Sequence, residues 1–250
     1  MFALPPFSQT QCLAPRRPGR VYRPFGLTRR WFGICWTALF IFGVAHPAQA
    51  ERKLNVVASF SVLADMVTRV AGSRADVLSL VPREIDPHSF RATPSTVKAM
   101  GRAELIVING LGFDSWVNRL SNAAGQSKNL IVASSGVSGL AVHGASKEHG
   151  HTHSIDPHAW HSIDNAQAYV RNITRALCDT VAALCKEFES NAAAYHLELA
   201  DLQRELSRAI AQNAAPSPVI TIHASIRYLS ADYGLEVIAA KPEHPDSDTS

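Results

Sequence analysis

The chain has no Gly-x-x-x-x-Gly-Lys-Ser/Thr stretch, so nothing in it is shaped to cradle the phosphates of a nucleotide. It has no His-Glu-x-x-His pair and no Gly-x-Ser-x-Gly elbow, which removes the local signatures of zinc proteases and serine hydrolases. A surplus of positive charge is also missing where it would matter. Of the 24 Lys and Arg, six Arg fall in the first 50 residues, which hold no acid; residues 51–250 keep 18 basic against 21 acidic side chains, a net charge of about −3. That balance leaves no electrostatic footprint for nucleic acid. Cysteine is scarce, at four residues. No apolar run reaches the roughly 20 residues that a membrane-spanning helix needs.

The N-terminus accounts for the charge asymmetry. Arg29-Arg30 precede an apolar run from Trp31 to Ala45, and Ala48-Gln-Ala50 follows as a small-x-small site. These are the three regions of a secretory signal, with cleavage expected after Ala50. Residues 1–27 are long and Pro/Arg-rich for a leader, which points to a start codon placed too far upstream. Phe32-Gly-Ile-Cys35 is a poor lipoprotein box, so no lipid anchor is expected. Cys12 and Cys35 leave with the leader. Cys178 and Cys185 remain, seven apart in a helical pattern. Two helical turns separate them by about 10 Å, beyond disulfide reach. The expectation is two small buried hydrophobes on one helix face.

From residue 51 the chain alternates strands with helices. Leu54–Ala58, Asp76–Val81, Glu104–Asn109 and Asn129–Ala133 read as buried strands. Ser61 is expected to cap a helix over Val62–Ala71, Thr93-Pro94 to open a second helix ending at Gly101, and Asp114 to cap a third. This alternation means an α/β layer with a parallel sheet, whose ligands sit in the loops beyond the carboxyl ends of the strands. Residues 134–163 are a Gly-, Ser- and His-rich loop. Asp164-Asn-Ala-Gln167 resembles a capping box for a helical stretch over 164–213. Its apolar stripes are Tyr169, Ile173, Leu177, Val181 and Tyr195, Leu199, Leu202, Leu206. Fifty helical residues would span about 75 Å, so a break is expected near Cys185–Ser190. A strand over Pro218–His223, a helix over Ala224–Tyr233 and a strand over Leu235–Ala239 begin a second α/β unit within 218–250, too short to bury a core alone.

The chemistry concentrates in histidine. The tripeptide Asp-Pro-His occurs twice, as Asp86-Pro-His88 and Asp156-Pro-His158, and the second trails a tract holding His143, His149, His151 and His153. His223 ends a strand. In both tripeptides Pro fixes its own φ and biases the Asp before it toward extended geometry, which pre-positions the imidazole. Neutral imidazole is the commonest zinc ligand. His88, His158 and His223 are therefore the candidate ligands, with Asp86 or Asp156 as acceptors behind them. The tract from His143 to His153 reads as a metal-gathering loop. His161 and His196 read as exposed and idle.

Val57-Ala-Ser-Phe-Ser-Val-Leu-Ala-Asp65, Asp86-Pro-His-Ser-Phe-Arg-Ala-Thr-Pro-Ser95, Val107-Ile-Asn-Gly-Leu-Gly112, Asp156-Pro-His-Ala-Trp160, and Thr221-Ile-His-Ala-Ser225 followed by Tyr233-Gly-Leu-Glu-Val237 occur in that order. Residues 51–240 thereby resemble the periplasmic solute-binding proteins of zinc/manganese ABC importers. The resemblance implies two α/β lobes with parallel sheets, 51–163 and 218–250, joined by a long helix over 164–213, with one metal between the lobes. It places the family's first three ligands on His88, His158 and His223. A His at the third position and a His-rich loop over 143–158 tilt the cargo from Mn²⁺ toward Zn²⁺. It implies a permease in the inner membrane with a separate ATPase subunit, a periplasmic location and a monomer. Family members continue through further strands and helices, many with an acidic fourth ligand. The second lobe here is expected to be incomplete, as in a fragment or a truncated gene, with a water or Glu84 completing the site. Other readings of the same histidines are a manganese importer subunit, a metal-dependent adhesin, and a three-His zinc hydrolase with an open fourth position.

Overall fold

The computed structural model describes residues 52–123, 125, 129–142, 155–212 and 218–240. The leader and the tract His143, His149, His151, His153 lie outside the described residues. Strands β1 (Leu54–Phe60), β2 (Ala75–Val81), β3 (Leu105–Ile108) and β4 (Leu130–Val132) form one parallel sheet in the order β2-β1-β3-β4. Period-two alternation sorts their side chains to two faces. Val56, Ala58, Leu105 and Val107 join one apolar cluster, and Val57, Ile106 and Ile108 the other. Helix α1 (Ser61–Ala71) with α4 (Ile163–Thr180) and α5 (Cys185–Gln212) supplies the first cluster. Helices α2 (Pro94–Arg102) and α3 (Ser115–Ala123) supply the second. A sheet covered on both sides explains strands that read as unbroken apolar runs.

Helix ends follow local chemistry with two corrections. Thr93 caps α2 as expected: its hydroxyl accepts from the Thr96 N–H, and the Thr96 hydroxyl accepts from the Thr93 N–H. Ser61, by contrast, is the first helical residue of α1; the capping position is Phe60, which has no side-chain acceptor. Helix α4 is capped by Ser162, whose Oγ accepts from the Asn165 N–H, while Asp164 sits inside the first turn. There the carboxylate still favours the positive end of the helix.

The helical stretch after residue 162 is two helices packed on α1 and on each other, not one rod. The break is earlier than expected. Val181 leaves helical geometry at φ −138°, ψ 81°, a single 3₁₀ turn spans Ala182–Leu184, and α5 then runs through 185–190 without interruption. This reversal overturns the expectation for the cysteines. Cys178 and Cys185 are disulfide-bonded, with Cα atoms 4.5 Å apart. The 10 Å separation assumed an unbroken helix. Of the two stripes, Tyr169, Ile173 and Leu177 are wholly buried, but on α5 Leu202 is 44% exposed and the anchors are Phe188, Ala192 and Leu199.

After α5, strands β5 (Val219–Thr221) and β6 (Val237–Ala239) pair in parallel around helix α6 (Arg227–Tyr233). The fold is thus mixed α/β with parallel sheets and a long helix. Among the described residues no helix is long and apolar enough to cross a membrane.

Candidate metal centre

The three candidate histidines come from three loops beyond strand ends. His88 follows β2, His158 precedes the 3₁₀ turn Ala159–His161 that leads into α4, and His223 follows β5. The structure brings all three together. Their ring nitrogens lie within 4.8 Å of one another, and the rings of His88, His158 and His223 are 5.3–5.6 Å apart at their centroids. Nε2 of His88 faces Nε2 of His158 at 3.2 Å. Two nitrogens on one tetrahedral zinc sit about 3.3 Å apart, given Zn–N bonds of about 2.0–2.1 Å. The pair is therefore already at the spacing of a shared cation, and a ring nitrogen of His223 lies within 4.8 Å of both.

Each Asp-Pro-His tripeptide is fixed by its own aspartate. Asp86 Oδ1 accepts from the His88 backbone N–H at 3.0 Å, and Asp156 Oδ1 accepts from that of His158 at 2.9 Å. Asp156 does more. The same oxygen lies 2.7 Å from His158 Nδ1 and so directs Nε2 at the centre. A carboxylate behind a ligand imidazole sets its tautomer and raises its basicity. Asp156 is itself 3% exposed, with Arg227 Nη1 of α6 3.7 Å from its second oxygen. Glu84 stands apart: it is exposed and does not belong to the histidine cluster.

Several supporting residues were visible in the sequence only as a motif, a helix cap or an apolar stripe, not in the roles they take here. Asn109, at the end of β3, donates from Nδ2 to the carbonyl of Pro157 and accepts on Oδ1 from the Tyr169 hydroxyl. The turn after it runs through Gly110, Leu111 and Gly112, all at positive φ. A Cβ on Gly110 would meet Val132 at 2.4 Å, so no other residue fits there. The turn is tied down by Asp114, whose carboxylate accepts from the N–H groups of Asn109 and Gly110 and from the Ser59 hydroxyl. Burial pushes that carboxyl above its usual range in spite of these bonds. The result is an aromatic wall: Phe113 lies edge-on to His88 at 5.1 Å, Trp160 edge-on to His158 at 5.2 Å, and the two pack on each other and on Phe60. The Trp in Asp156-Pro-His-Ala-Trp160 was the one visible hint of it.

The β5–β6 unit is tied to the ligand loop by α6. The Tyr228 hydroxyl donates to the Asp156 carbonyl at 2.8 Å and accepts from the Leu140 N–H at 3.0 Å, and Arg227 Nη2 donates to the Ala141 carbonyl.

Two histidines read as exposed and idle are half-buried instead. His196 is half-buried on α5, with its Nδ1 enclosed. His161 is half-buried against Trp160, and burial, reinforced by the neighbouring His158, lowers its pKa to about 4. Burial and His158 likewise lower His223, partly opposed by Asp86 and Asp156. Both rings therefore stay in the neutral state that a metal ligand requires. The stability of the metal-free protein should respond. Folded His161 takes up its proton only near pH 4, where the unfolded chain has long since done so, so its contribution is complete above pH 6.5 and is lost as pH falls from 6.5 to about 4. Urea midpoints of chelated protein should drop across that window, and His161→Phe should flatten the slope. An unchanged slope in His161→Phe would remove His161 from the account.

Residues 56–250 match the family model described as the periplasmic zinc-uptake complex component A. Zinc-binding lipoprotein AdcA of Streptococcus pneumoniae (strain ATCC BAA-255 / R6) is 30% identical over 220 residues, 85% of this chain and 44% of AdcA. The iron ABC transporter substrate-binding lipoprotein MtsA of Streptococcus pyogenes serotype M1 is 32% identical over 73% of this chain and 60% of MtsA. This chain thus spans about half the length of these curated relatives. Among solved structures, the zinc-bound 138–173 deletion mutant of ZnuA superposes with a TM-score of 0.70 at 27% identity, covering 78% of this chain and 74% of that one.

Proposed function

Since the chain belongs to the periplasmic zinc-uptake complex component A family of metal-binding solute-binding proteins, we propose that it captures Zn²⁺ outside the cytoplasm and hands it to the permease of an ABC importer. The observation that carries this is the convergence of His88, His158 and His223 from three separate loops, with two ring nitrogens already 3.2 Å apart. In this reading those three imidazoles are the ligands, Asp156 orients His158, and Asp86 fixes the His88 backbone. Residues 51–163 act as one lobe, 164–213 as the connector and 218–250 as part of a second lobe. The exported protein works as a monomer, and ATP hydrolysis belongs to its partner. It is a binding protein and not an enzyme.

A second reading concerns the cargo alone. MtsA, an iron-named relative, is as similar as the zinc-named one. An all-nitrogen donor set favours zinc over manganese or ferrous iron, in line with the usual affinity order for divalent ions. Competitive titration of the full chain with Zn²⁺, Mn²⁺ and Fe²⁺ decides it: zinc should win by at least about tenfold, and manganese or iron in first place would reassign the cargo.

The His143–His153 tract is assigned a gathering role. Deleting residues 143–153 should leave the dissociation constant of the tight site within about threefold while removing weak, multi-site uptake from the calorimetric trace. Loss of the tight site on deletion would move the ligands into the tract.

A further inference from the structure

The far end of the α4–α5 hairpin carries a second group of metal-ligating side chains. The sulfurs of Cys178 and Cys185 and a carboxylate oxygen of Glu189 lie within 4.8 Å of one another. Chain geometry explains why. Cys185 and Glu189 are four apart on α5 and share a face. The 3₁₀ turn at Ala182–Leu184 then folds α5 back so that the Cα of Cys178, near the end of α4, comes within 4.5 Å of that of Cys185. Cys178 and Cys185 are half-buried and Glu189 is exposed, so none of the three is sealed from solvent. Cys178 is some fifteen residues along α4 from its start near the histidine centre, about 22 Å at 1.5 Å per residue. The two groups are separate sites.

A disulfide has no charge and no lone pair basic enough to hold a cation. The thiolate is the ligand. We propose that Cys178, Cys185 and Glu189 form a redox-gated second site for a thiolate-preferring divalent cation: closed in the disulfide form, and opened when a reductant converts the bridge to two thiols. A phosphine reductant supplies the two electrons and becomes a phosphine oxide, with water giving the oxygen and the two thiol protons. Metal binding then displaces those two protons, and two thiolate sulfurs with the Glu189 carboxylate coordinate the ion. Soft sulfur donors with one carboxylate suit Zn²⁺, Cd²⁺ or the spectroscopic substitute Co²⁺. Mn²⁺ and Mg²⁺, which prefer oxygen, are poor guests. Oxidation by a disulfide-exchange partner would expel the ion, so occupancy of this site reports the thiol state of the hairpin. None of this depends on what the histidine centre binds.

The test uses the full chain carrying Cys12→Ser and Cys35→Ser, so that only this pair can contribute sulfur. Co²⁺ is added before and after phosphine reduction, and the sulfur-to-cobalt charge-transfer band is read; imidazole nitrogens give none. The expected result is a band that saturates at one equivalent in reduced protein, is absent from oxidised protein and survives His88→Ala/His158→Ala. It should vanish in Cys178→Ser and in Cys185→Ser, and Glu189→Gln should weaken the apparent affinity at least about tenfold, the least that losing a residue that merely supports a ligand costs. Three results would overturn the proposal: no band in reduced protein whose helical circular dichroism matches the oxidised form; a band that persists in urea, which would mark two thiols on a loose chain; or loss of the helical signal on reduction, since the site requires the hairpin to hold without its bridge.

Discussion

Replacing His158 by alanine should weaken zinc binding at least about a hundredfold, or some 2.7 kcal/mol, with the circular dichroism spectrum unchanged. The hundredfold is a floor taken from the loss of residues that merely support a ligand. His158 is the most enclosed of the three rings, at 8% exposure, and the one whose orientation is most determined. Its Nδ1 is held by Asp156 and its Nε2 faces His88. Removing the ring takes away a donor and leaves the buried Asp156 carboxylate with the His158 backbone N–H and Arg227 as neighbours. Isothermal titration of the full chain reads the change directly. His88→Ala should also lose affinity strongly. Parent-like titration by His158→Ala, or a loss no larger than that from deleting residues 143–153, would sink the ligand assignment. Acid should mimic the mutation by degrees. Protons compete for imidazole, so affinity falls as pH drops below about 6.5. Burial and the neighbouring His158 lower the pKa of His223, so in the metal-free protein it keeps its lone pair further into acid than an ordinary histidine.

Asp114→Ala should cost on the order of 3 kcal/mol of folding stability, which a urea denaturation series can measure. The carboxylate answers three donors at once: the Ser59 hydroxyl at the end of β1, and the N–H groups of Asn109 and Gly110 at the end of β3. Alanine strands all three, two of them backbone groups in a dry setting. Asp114→Asn should be little better, because one of its two polar ends is an amide NH₂ that faces donors with another donor. The effect should reach the metal. Asn109, loosened by the change, holds the carbonyl of Pro157 beside His158, so zinc affinity should fall alongside stability. A drop below about 0.5 kcal/mol, the range of an ordinary surface substitution, would show that the turn does not depend on this carboxylate.

How much of this was legible in the sequence depended on whether a feature is local. Asp-Pro-His announces itself because Pro restricts two residues and Asp bonds to the amide two positions on; both effects are written in three letters. The strands of the sheet read correctly since burial on both faces demands unbroken apolar runs. The helix break did not. Thr180-Val-Ala-Ala-Leu184 contains no Gly or Pro, and every residue tolerates a helix, so periodicity carried the pattern through the turn and set the cysteines two turns apart. The turn exists because Phe188, Ala192 and Leu199 bury against the layer that α4 already covers. Asp164 read as the cap of α4 because it opens a capping-box pattern, but Ser162, two residues earlier, takes that position. Asp114 read only as a helix cap and Tyr169 only as part of an apolar stripe, until tertiary contact gives Asp114 the Ser59 hydroxyl, Tyr169 the Asn109 side chain and Tyr228 the Asp156 carbonyl, each more than 50 residues away.

Tyr228 has a mechanical meaning. One phenolic oxygen bonds both to the Leu140 amide and to the Asp156 carbonyl, and so ties α6 to the two strands of chain that flank the histidine tract. Any displacement of α6 from this loop would have to break both bonds. If the β5–β6 unit moves when the proposed site opens, that motion is coupled to the loop carrying His158 through a single phenol, so Tyr228→Phe removes both ties at once.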